Sequence, residues 1–152
     1  MAYQNLVRDF ASRTRANLET LRDFQKAQSD VEVYEVTQLI NSMLGLLVFP
    51  QQRYIDRIPK TPLGELASQG WPSPKVEGNY PQVKDLRELV RYLRNAITHC
   101  NLQFLVDERE QINGLRVWNT NPRTDQTTWM AKLSIEDIEK ITDRFIQLLL
   151  EK

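Results

Sequence analysis

The chain contains one histidine, His99, in the segment RNAITH that spans residues 94–99. At about 100° per residue, Asn95 and His99 fall on one face of a helix, one turn apart, and Arg94 flanks that face. A guanidinium binds a phosphate through two parallel hydrogen bonds, and an imidazole is the usual proton-transfer group near neutral pH. Further polar side chains of the same face belong to Arg87, Arg91 and Thr98. This face could therefore bind a phosphate and move a proton beside it.

Simpler interpretations of this polar face remain open. A lone histidine is most often an ordinary surface or core residue, and the arginines could pair with nearby carboxylates such as Asp85 and Glu88. The core interpretation is the weaker one, because the apolar stripe of the same helix lies on the opposite face. Residue types and spacing alone do not decide between a functional and a structural role.

The helix that carries this face is predicted to begin at Val83. Its apolar residues follow one another at steps of four and three, which is the spacing of a buried stripe. They are Leu86, Val90, Leu93, Ile97, Cys100 and Phe104. Cys100 is accordingly predicted to be a small buried apolar residue. On a straight helix Arg94 and His99 lie about 140° apart, so one chain alone directs both side chains poorly at one phosphate.

Two further helices are predicted before this one. Residues 3–27 carry apolar side chains at helical spacing in an arginine-rich stretch, and residues 31–49 form a second, nearly all-apolar helix that ends at Pro50. Either Ser29 or Asp30 could cap the second helix. A helix that is apolar on most faces is buried in the centre of a bundle or against a partner chain.

Residues 50–82 differ in character, since six of the seven prolines and three of the five glycines lie there. No long helix can cross such a segment, although a short helix near residues 62–68 is possible. A connection of this length without regular structure is uncommon in a compact domain and is often functional.

The C-terminal third is predicted to form a small antiparallel meander followed by a helix. Three segments alternate and are rich in Val, Ile, Thr and Trp; they are residues 105–107, 112–119 and 127–133. Asn113-Gly114 is either a turn of the meander or a bulge inside its second strand. Ser134 and Asp137 have the spacing of a capping box, which predicts a closing helix over residues 135–150.

Composition limits the class of protein. Twenty basic side chains balance twenty acidic ones, which argues against a protein that coats nucleic acid by charge alone. One cysteine and one histidine cannot supply the four ligands of a structural zinc site, and a lone cysteine fits a reducing compartment. No signal peptide is visible, and no apolar stretch approaches the roughly twenty residues of a membrane span. We therefore expect a cytoplasmic, single-domain protein over residues 1–152 that binds neither a metal nor a membrane.

The segment RNAITH, late in a long helix of a small helical domain, resembles the motif of the HEPN superfamily. In that motif an arginine, commonly followed by asparagine, precedes a histidine by about four to six residues. Other segments are similar to one plasmid-associated HEPN subfamily, and they are residues 36–41, 46–51, 70–72, 118–119 and 129–133. The resemblance implies a mainly α fold, a helical bundle of four main helices with a small antiparallel β-meander inserted before the last helix.

The resemblance also implies an activity. HEPN ribonucleases cleave RNA without a metal or another cofactor and usually dimerise, so that two copies of the motif form one composite site. In this chain Arg94 would hold the scissile phosphate, and His99 would assist proton transfer as the ribose 2′-hydroxyl attacks it. Asn95 would orient the imidazole or a phosphate oxygen. The side chains expected to bind the RNA are Arg87, Arg91 and Thr98. The chain would be a homodimeric toxin or defence effector, with an antitoxin or regulatory protein as a possible partner.

The resemblance leaves room for other functions. Some HEPN toxins are silenced at a tyrosine shortly after the histidine, whereas no tyrosine follows Tyr92 here, which argues against that mode of control. A non-catalytic HEPN module could bind a nucleotide, an RNA or a partner protein through the same face, although it would not need a proton-transfer group. A weaker alternative is a dimeric helical adaptor that binds another protein through Trp71 and the proline-rich segment.

Overall fold

The computed structural model describes residues 3–27, 34–50 and 52–151 and places a sheet between helical segments of the chain. In chain order the elements are α1 (Tyr3–Ala27), α2 (Glu35–Val48), α3 (Gln52–Ile55), α4 (Leu63–Leu66), β1 (Lys75–Val76), α5 (Leu86–Thr98), β2 (Leu102–Val106), β3 (Ile112–Thr120), β4 (Thr127–Ser134) and α6 (Ile135–Glu151). The predicted mainly α fold, with a meander inserted before the last helix, is confirmed.

Helix α2 lies at the centre of the helical layer. It packs against α1, α5 and α6, and α1 also packs against α6. The side chains of α2 that are buried are Leu39, Ile40, Ser42, Met43, Leu46 and Leu47. Of the two environments that its apolar sequence allows, α2 therefore occupies the core of its own chain. Helix α5 packs against α2 and on the strand β3, and the predicted bundle of four main helices is not confirmed in this detail.

Helix α1 has the predicted bounds, but its buried face is offset from the stripe of large apolar residues. Leu6 is 42% exposed and Phe24 39% exposed. The buried residues are Val7, Ala11, Thr14 and Leu18. Small side chains at the contact let helices approach closely. Leu6 and Phe24 therefore do not mark the packed face, whereas Leu18 does. The predicted cap of α2 at Ser29 or Asp30 lies outside the described residues.

The proline-rich segment packs onto the rest of the molecule. Helix α4 is the short helix expected near residues 62–68, and Trp71 is 7% exposed within the core. Strand β1 pairs with β4 and adds a fourth strand to the sheet. A strand of two residues is too short to show the alternation of apolar and polar residues from which strands are predicted. Because Trp71 is buried, it is not available to bind another protein, and the adaptor interpretation loses the residue on which it depended.

Beyond β1, the segment is tied to the sheet by Glu77. Its carboxylate accepts a hydrogen bond from Arg116 Nε at 2.7 Å and pairs with Lys132 Nζ at 3.0 Å. The hydrogen bond from Arg116, helped by Lys132, lowers the pKa of Glu77 from 4.5 to about 2. A lowered carboxyl pKa means that the stabilisation is complete above pH 4.5 and is lost as the pH falls toward 2.

The sheet has the strand order β1-β4-β3-β2, with antiparallel neighbours throughout. The three predicted strands are present, but the first begins at Leu102 rather than Leu105 and ends before Asp107. Leu105 pairs with Gly114 and Val106 with Ile112, so that Asn113 is an extra residue in β3. Of the two alternatives for Asn113-Gly114, the bulge is therefore correct.

The junction between β4 and α6 is the predicted capping box. The Ser134 backbone N–H donates to Asp137 Oδ2 at 2.9 Å, and the Asp137 N–H donates to Ser134 Oγ at 3.1 Å. These reciprocal bonds satisfy two N–H groups that a helix start otherwise leaves unpaired. The capping prediction and the closing helix are both confirmed.

Candidate functional site

Helix α5 presents the RNAITH face because of where it begins and what it buries. Asp85 caps it, since its Oδ1 accepts the Glu88 N–H at 2.9 Å; the helix thus begins at Leu86 rather than at Val83. The residues that α5 buries are Leu86, Leu89, Val90, Leu93, Ala96 and Ile97. This apolar face packs against α2 and β3, which leaves the polar face outward as the spacing predicts.

The helix ends at Thr98 in a turn that the sequence pattern does not show. The Cys100 N–H donates to the Ile97 carbonyl at 3.0 Å and the Asn101 N–H to the Ala96 carbonyl at 2.7 Å, the two bonds of a Schellman motif. Cys100 occupies its left-handed position, with a φ of 56°. His99 is therefore the C-cap residue of α5, outside its regular turns.

The predicted continuation of the buried stripe to Cys100 and Phe104 is consequently wrong. Cys100 is exposed, and Phe104 lies in β2 with 47% of its surface exposed. The four-residue step from Cys100 to Phe104 continues the helical spacing by coincidence, because the chain has already turned into a strand. The Cys100 prediction fails for the same reason.

Replacing Cys100 with glycine is expected to stabilise the end of α5. The left-handed conformation costs a residue with a Cβ about 1–2 kcal/mol, and glycine is the usual residue at this position. Allowing for the entropy of glycine in the unfolded chain, we expect Cys100→Gly to raise the free energy of unfolding by about 0.5–1 kcal/mol, whereas Cys100→Val should lower it. Urea unfolding of the three proteins measures this, and equal values for the two variants would contradict the assignment.

Asn95 and His99 lie together beside a cleft of about 570 Å³, here named the His99 cleft. The His99 backbone N–H donates to the Asn95 carbonyl at 3.1 Å, so the two residues are one helical turn apart, as predicted. The residues that line the cleft are Tyr92, Asn95, His99, Asn101, Asn119, Thr120, Pro122, Asp125 and Thr128. One helix face and one hairpin of the same chain therefore form the two walls.

The arginines of α5 are not gathered at this cleft. Arg94 is half-buried and is not among the residues that line it, in agreement with its angular separation from His99. Arg87 Nε donates to the Ile58 carbonyl at 2.7 Å, which fastens it to the segment after α3. Arg91 Nη2 lies 3.7 Å from Glu88 Oε1, so the structural interpretation applies in part to this residue.

Thr98 also makes a local contact. Its hydroxyl donates to the Arg94 carbonyl at 2.8 Å within α5, a common arrangement for threonine in a helix. The side chain is nevertheless exposed. The structure thus brings Asn95 and His99 together, while Arg87, Arg91, Arg94 and Thr98 lie outside the cleft lining in a single chain.

The second wall comes from the β3–β4 hairpin, which the residue pattern did not assign to the site. Asn119 is 9% exposed, and its Nδ2 donates to the Tyr92 carbonyl at 3.2 Å, which joins the hairpin to α5. Thr128 Oγ1 donates to the Asn119 carbonyl at 3.3 Å. The Tyr92 ring packs on Trp129 at 5.2 Å between centroids, and burial is the main cause that raises the pKa of Tyr92. In the sequence, the signal that could have assigned Asn119 to the site was the similarity of residues 118–119 to the plasmid-associated HEPN subfamily.

Over the described residues, the lining of the cleft contains an acidic side chain but no lysine or arginine. The acidic side chain is the carboxylate of Asp125. In the described part of the chain, no group of three or more His, Cys, Asp or Glu side chains has an arrangement that could hold a metal ion. The cleft therefore offers an imidazole, amides, hydroxyls and one carboxylate.

The mainly α fold and the RNAITH motif are consistent with a HEPN domain, and the comparison with protein families establishes the family. Residues 1–152 match the family described as HEPN pEK499 p136, and the chain belongs to that family. Membership supports a general function related to nucleotides or RNA, and HEPN families include ribonucleases. The comparisons with curated proteins and with solved structures found no match. Among the helices of the described residues, none combines the length and the apolarity needed to cross a membrane.

Proposed function

We propose that this chain is a metal-independent endoribonuclease whose site combines Arg94, Asn95 and His99. The observation that carries the proposal is the position of Asn95 and His99 at the rim of a polar cleft, in the motif of a HEPN family. His99 is exposed, and its backbone is held at the end of α5 by a defined turn. A proton-transfer group in a fixed, accessible position next to hydrogen-bonding side chains fits general acid–base chemistry.

The chemistry needs no group beyond copies of this chain and the RNA. The ribose 2′-oxygen attacks the adjacent phosphorus, the P–O5′ bond breaks, and the proton of the 2′-hydroxyl leaves to a base while the O5′ atom receives one. His99 assists this transfer, and Asn95 orients the imidazole or a phosphate oxygen. Arg94 neutralises the charge that develops on the phosphate. The products carry a 2′,3′-cyclic phosphate and a 5′-hydroxyl.

A homodimer completes this site. Because Arg94 does not line the cleft of its own chain, a phosphate next to His99 requires an arginine from elsewhere. A twofold axis beside α5 would supply it from the second subunit. In this proposal Arg87, Arg91 and Thr98 lie on the outward face around the axis and contact the RNA. The expected biological role is that of a toxin or defence effector, controlled by a partner protein.

A second candidate function is a non-catalytic module that binds a nucleotide, an RNA or a partner protein. The same position of Arg94 outside the His99 cleft favours it, since a binding cleft needs no phosphate-neutralising arginine. The presence of His99 at the rim favours the ribonuclease, because a binding module has no use for a proton-transfer group.

Cleavage of a mixed RNA pool in EDTA separates the two candidates. The wild-type protein is expected to cut RNA in the chelator and to leave the 2′-deoxy version of the same substrate intact, since DNA lacks the attacking hydroxyl. His99→Ala, purified identically, should show a rate lower by about 10²–10⁴-fold. End-group analysis should find cyclic phosphates. A requirement for Mg²⁺, or equal cleavage by His99→Ala, would contradict the proposal.

A further inference from the structure

The lining of the His99 cleft is unsuited to a phosphate and suited to a nucleobase. Phosphates are bound by cations and converging N–H donors, and the described residues that line this cleft include neither lysine nor arginine. Besides the His99 imidazole, the lining includes the amides of Asn95, Asn101 and Asn119, the hydroxyls of Thr120 and Thr128 and the Asp125 carboxylate. Amides and carboxylates pair with the ring nitrogens, carbonyls and exocyclic amines at the edge of a base.

We infer that the His99 cleft is a base-binding subsite for the nucleotide whose 2′-hydroxyl attacks, selective for bases that carry an exocyclic amine. This inference rests on the ribonuclease function proposed above. A base is attached to the ribose carbon next to the one that bears the 2′-hydroxyl. A base bound in the cleft therefore places that hydroxyl near His99 at the rim.

Asn119 provides a fixed hydrogen-bond acceptor in the cleft wall. Its side chain is 9% exposed and its Nδ2 is held by the Tyr92 carbonyl at 3.2 Å. This bond sets which way the amide faces. Among the described residues no group donates to Asn119 Oδ1, so this oxygen remains as an acceptor for a ligand at no cost in reorientation.

Asp125 determines which base fits. The loop that carries it is closed by two backbone bonds of 2.8 Å, from Asn121 N–H to the Gln126 carbonyl and from Asp125 N–H to the Asn121 carbonyl. A carboxylate accepts from the exocyclic amine of cytosine, adenine or guanine. Uracil presents a carbonyl where cytosine presents its amine, so a carboxylate placed to accept from that amine faces another acceptor, and the two repel. Asp125 thus discriminates against uracil.

Oligonucleotides with a single ribose in a deoxy background test the selectivity. Wild-type protein is expected to cut next to a ribocytidine at least about tenfold faster than next to a ribouridine. Asp125→Asn removes the charge, keeps the size and suits the left-handed φ of 55° at this position; it should bring the ratio close to one. Glu110→Gln is the matched control, because Glu110 also has a positive φ, of 60°, in the other hairpin turn. It should keep the wild-type ratio.

Nucleoside binding separates failure of the subsite from failure of the ribonuclease function. Cytidine is expected to shift the amide NMR signals of Asn95 and Asn119 in the wild-type protein more strongly than uridine, and Asp125→Asn should remove the difference. If RNA is not cut but this difference is seen, base selection by the cleft stands, while the nuclease proposal falls and with it the role of the cleft as a subsite of a nuclease. If RNA is cut with equal rates at all four bases, or Asp125→Asn keeps the wild-type ratio, the subsite is wrong while the nuclease stands. Absence of both base-dependent binding and base-dependent cleavage also overturns it.

Discussion

Mixing the Arg94→Ala protein with the His99→Ala protein is expected to restore RNA cleavage that neither variant shows alone. Each single variant should lose about 10²–10⁴-fold in rate, because one lacks charge neutralisation and the other lacks proton transfer. In a heterodimer, the chain with intact His99 faces the chain with intact Arg94, so one complete pair is formed. A wild-type dimer has two such pairs. With random exchange of subunits about half of the dimers are heterodimers with one complete pair each, so roughly a quarter of the wild-type activity should return.

The structural basis of this result is the separation of the two side chains within one chain. His99 lines the cleft and Arg94 does not. If the pair acted within a single chain, both subunits of the heterodimer would be defective and mixing would restore nothing. An inactive mixture, with both variants shown to be folded and dimeric by size-exclusion chromatography, would contradict the two-chain site.

Arg109→Ala is the control for the arginine variant. Arg109 is exposed in the turn between β2 and β3, so its loss changes the net charge by the same amount as Arg94→Ala. Arg109→Ala should leave the cleavage rate nearly unchanged, and its mixture with His99→Ala should be no more active than Arg109→Ala alone.

His99 is exposed and lies outside the core, so His99→Ala should leave the melting temperature nearly unchanged. A large decrease would show that His99 supports the fold instead.

Much of the fold follows from local signals in the sequence. Periodicity gives the bounds of α1, and the capping pair Ser134 and Asp137 gives the start of α6, because each signal acts within a few residues. The end of α5 is different. It depends on a left-handed turn at Cys100. A glycine at this position would have indicated the end of the helix, whereas a cysteine does not. Because cysteine is uncommon at this position of a helix end, the sequence pattern did not predict where α5 ends.

The candidate site divides in the same way. Asn95 and His99 are neighbours through helix geometry alone, so their spacing in the sequence places them on one face. Asn119, Asp125 and Thr128 reach the cleft because the β3–β4 hairpin packs beside α5. That packing is set by contacts between residues far apart in sequence, and helical or strand periodicity carries no information on it.

The bulge in β3 shows how an alternative that the sequence left open was decided by tertiary contacts. Asn-Gly is the commonest pair at a two-residue hairpin turn, yet the turn here is formed by residues 107–111, where Asp107 Oδ1 accepts the N–H groups of Arg109 and Gln111. Gly114 is instead enclosed between Leu105 and Ser134 of the neighbouring strands. Its role is to let the β4 backbone approach closely.

Gly114→Ala should accordingly be one of the most destabilising substitutions in the chain. A Cβ at this position would lie 2.5 Å from the Leu133 carbonyl oxygen, which is backbone and can move only if the β3–β4 pairing shifts. We expect the free energy of unfolding to fall by about 3 kcal/mol, and the melting temperature by roughly 10 °C. Because the same hairpin carries Asn119 and Asp125, RNA cleavage should decline together with stability. Thermal and urea unfolding, followed alongside cleavage, measure both effects.

Gly64→Ala provides the comparison that makes this prediction specific. Gly64 lies in α4, and nothing stands within 4 Å of the Cβ that alanine would add there. Since alanine favours the helix and reduces the entropy of the unfolded chain, Gly64→Ala should leave stability unchanged or raise it by about 0.5 kcal/mol. Similar stabilities for the two variants would mean that the strands of the sheet are not in the register described, and the position of Asn119 opposite α5 would then lose its support.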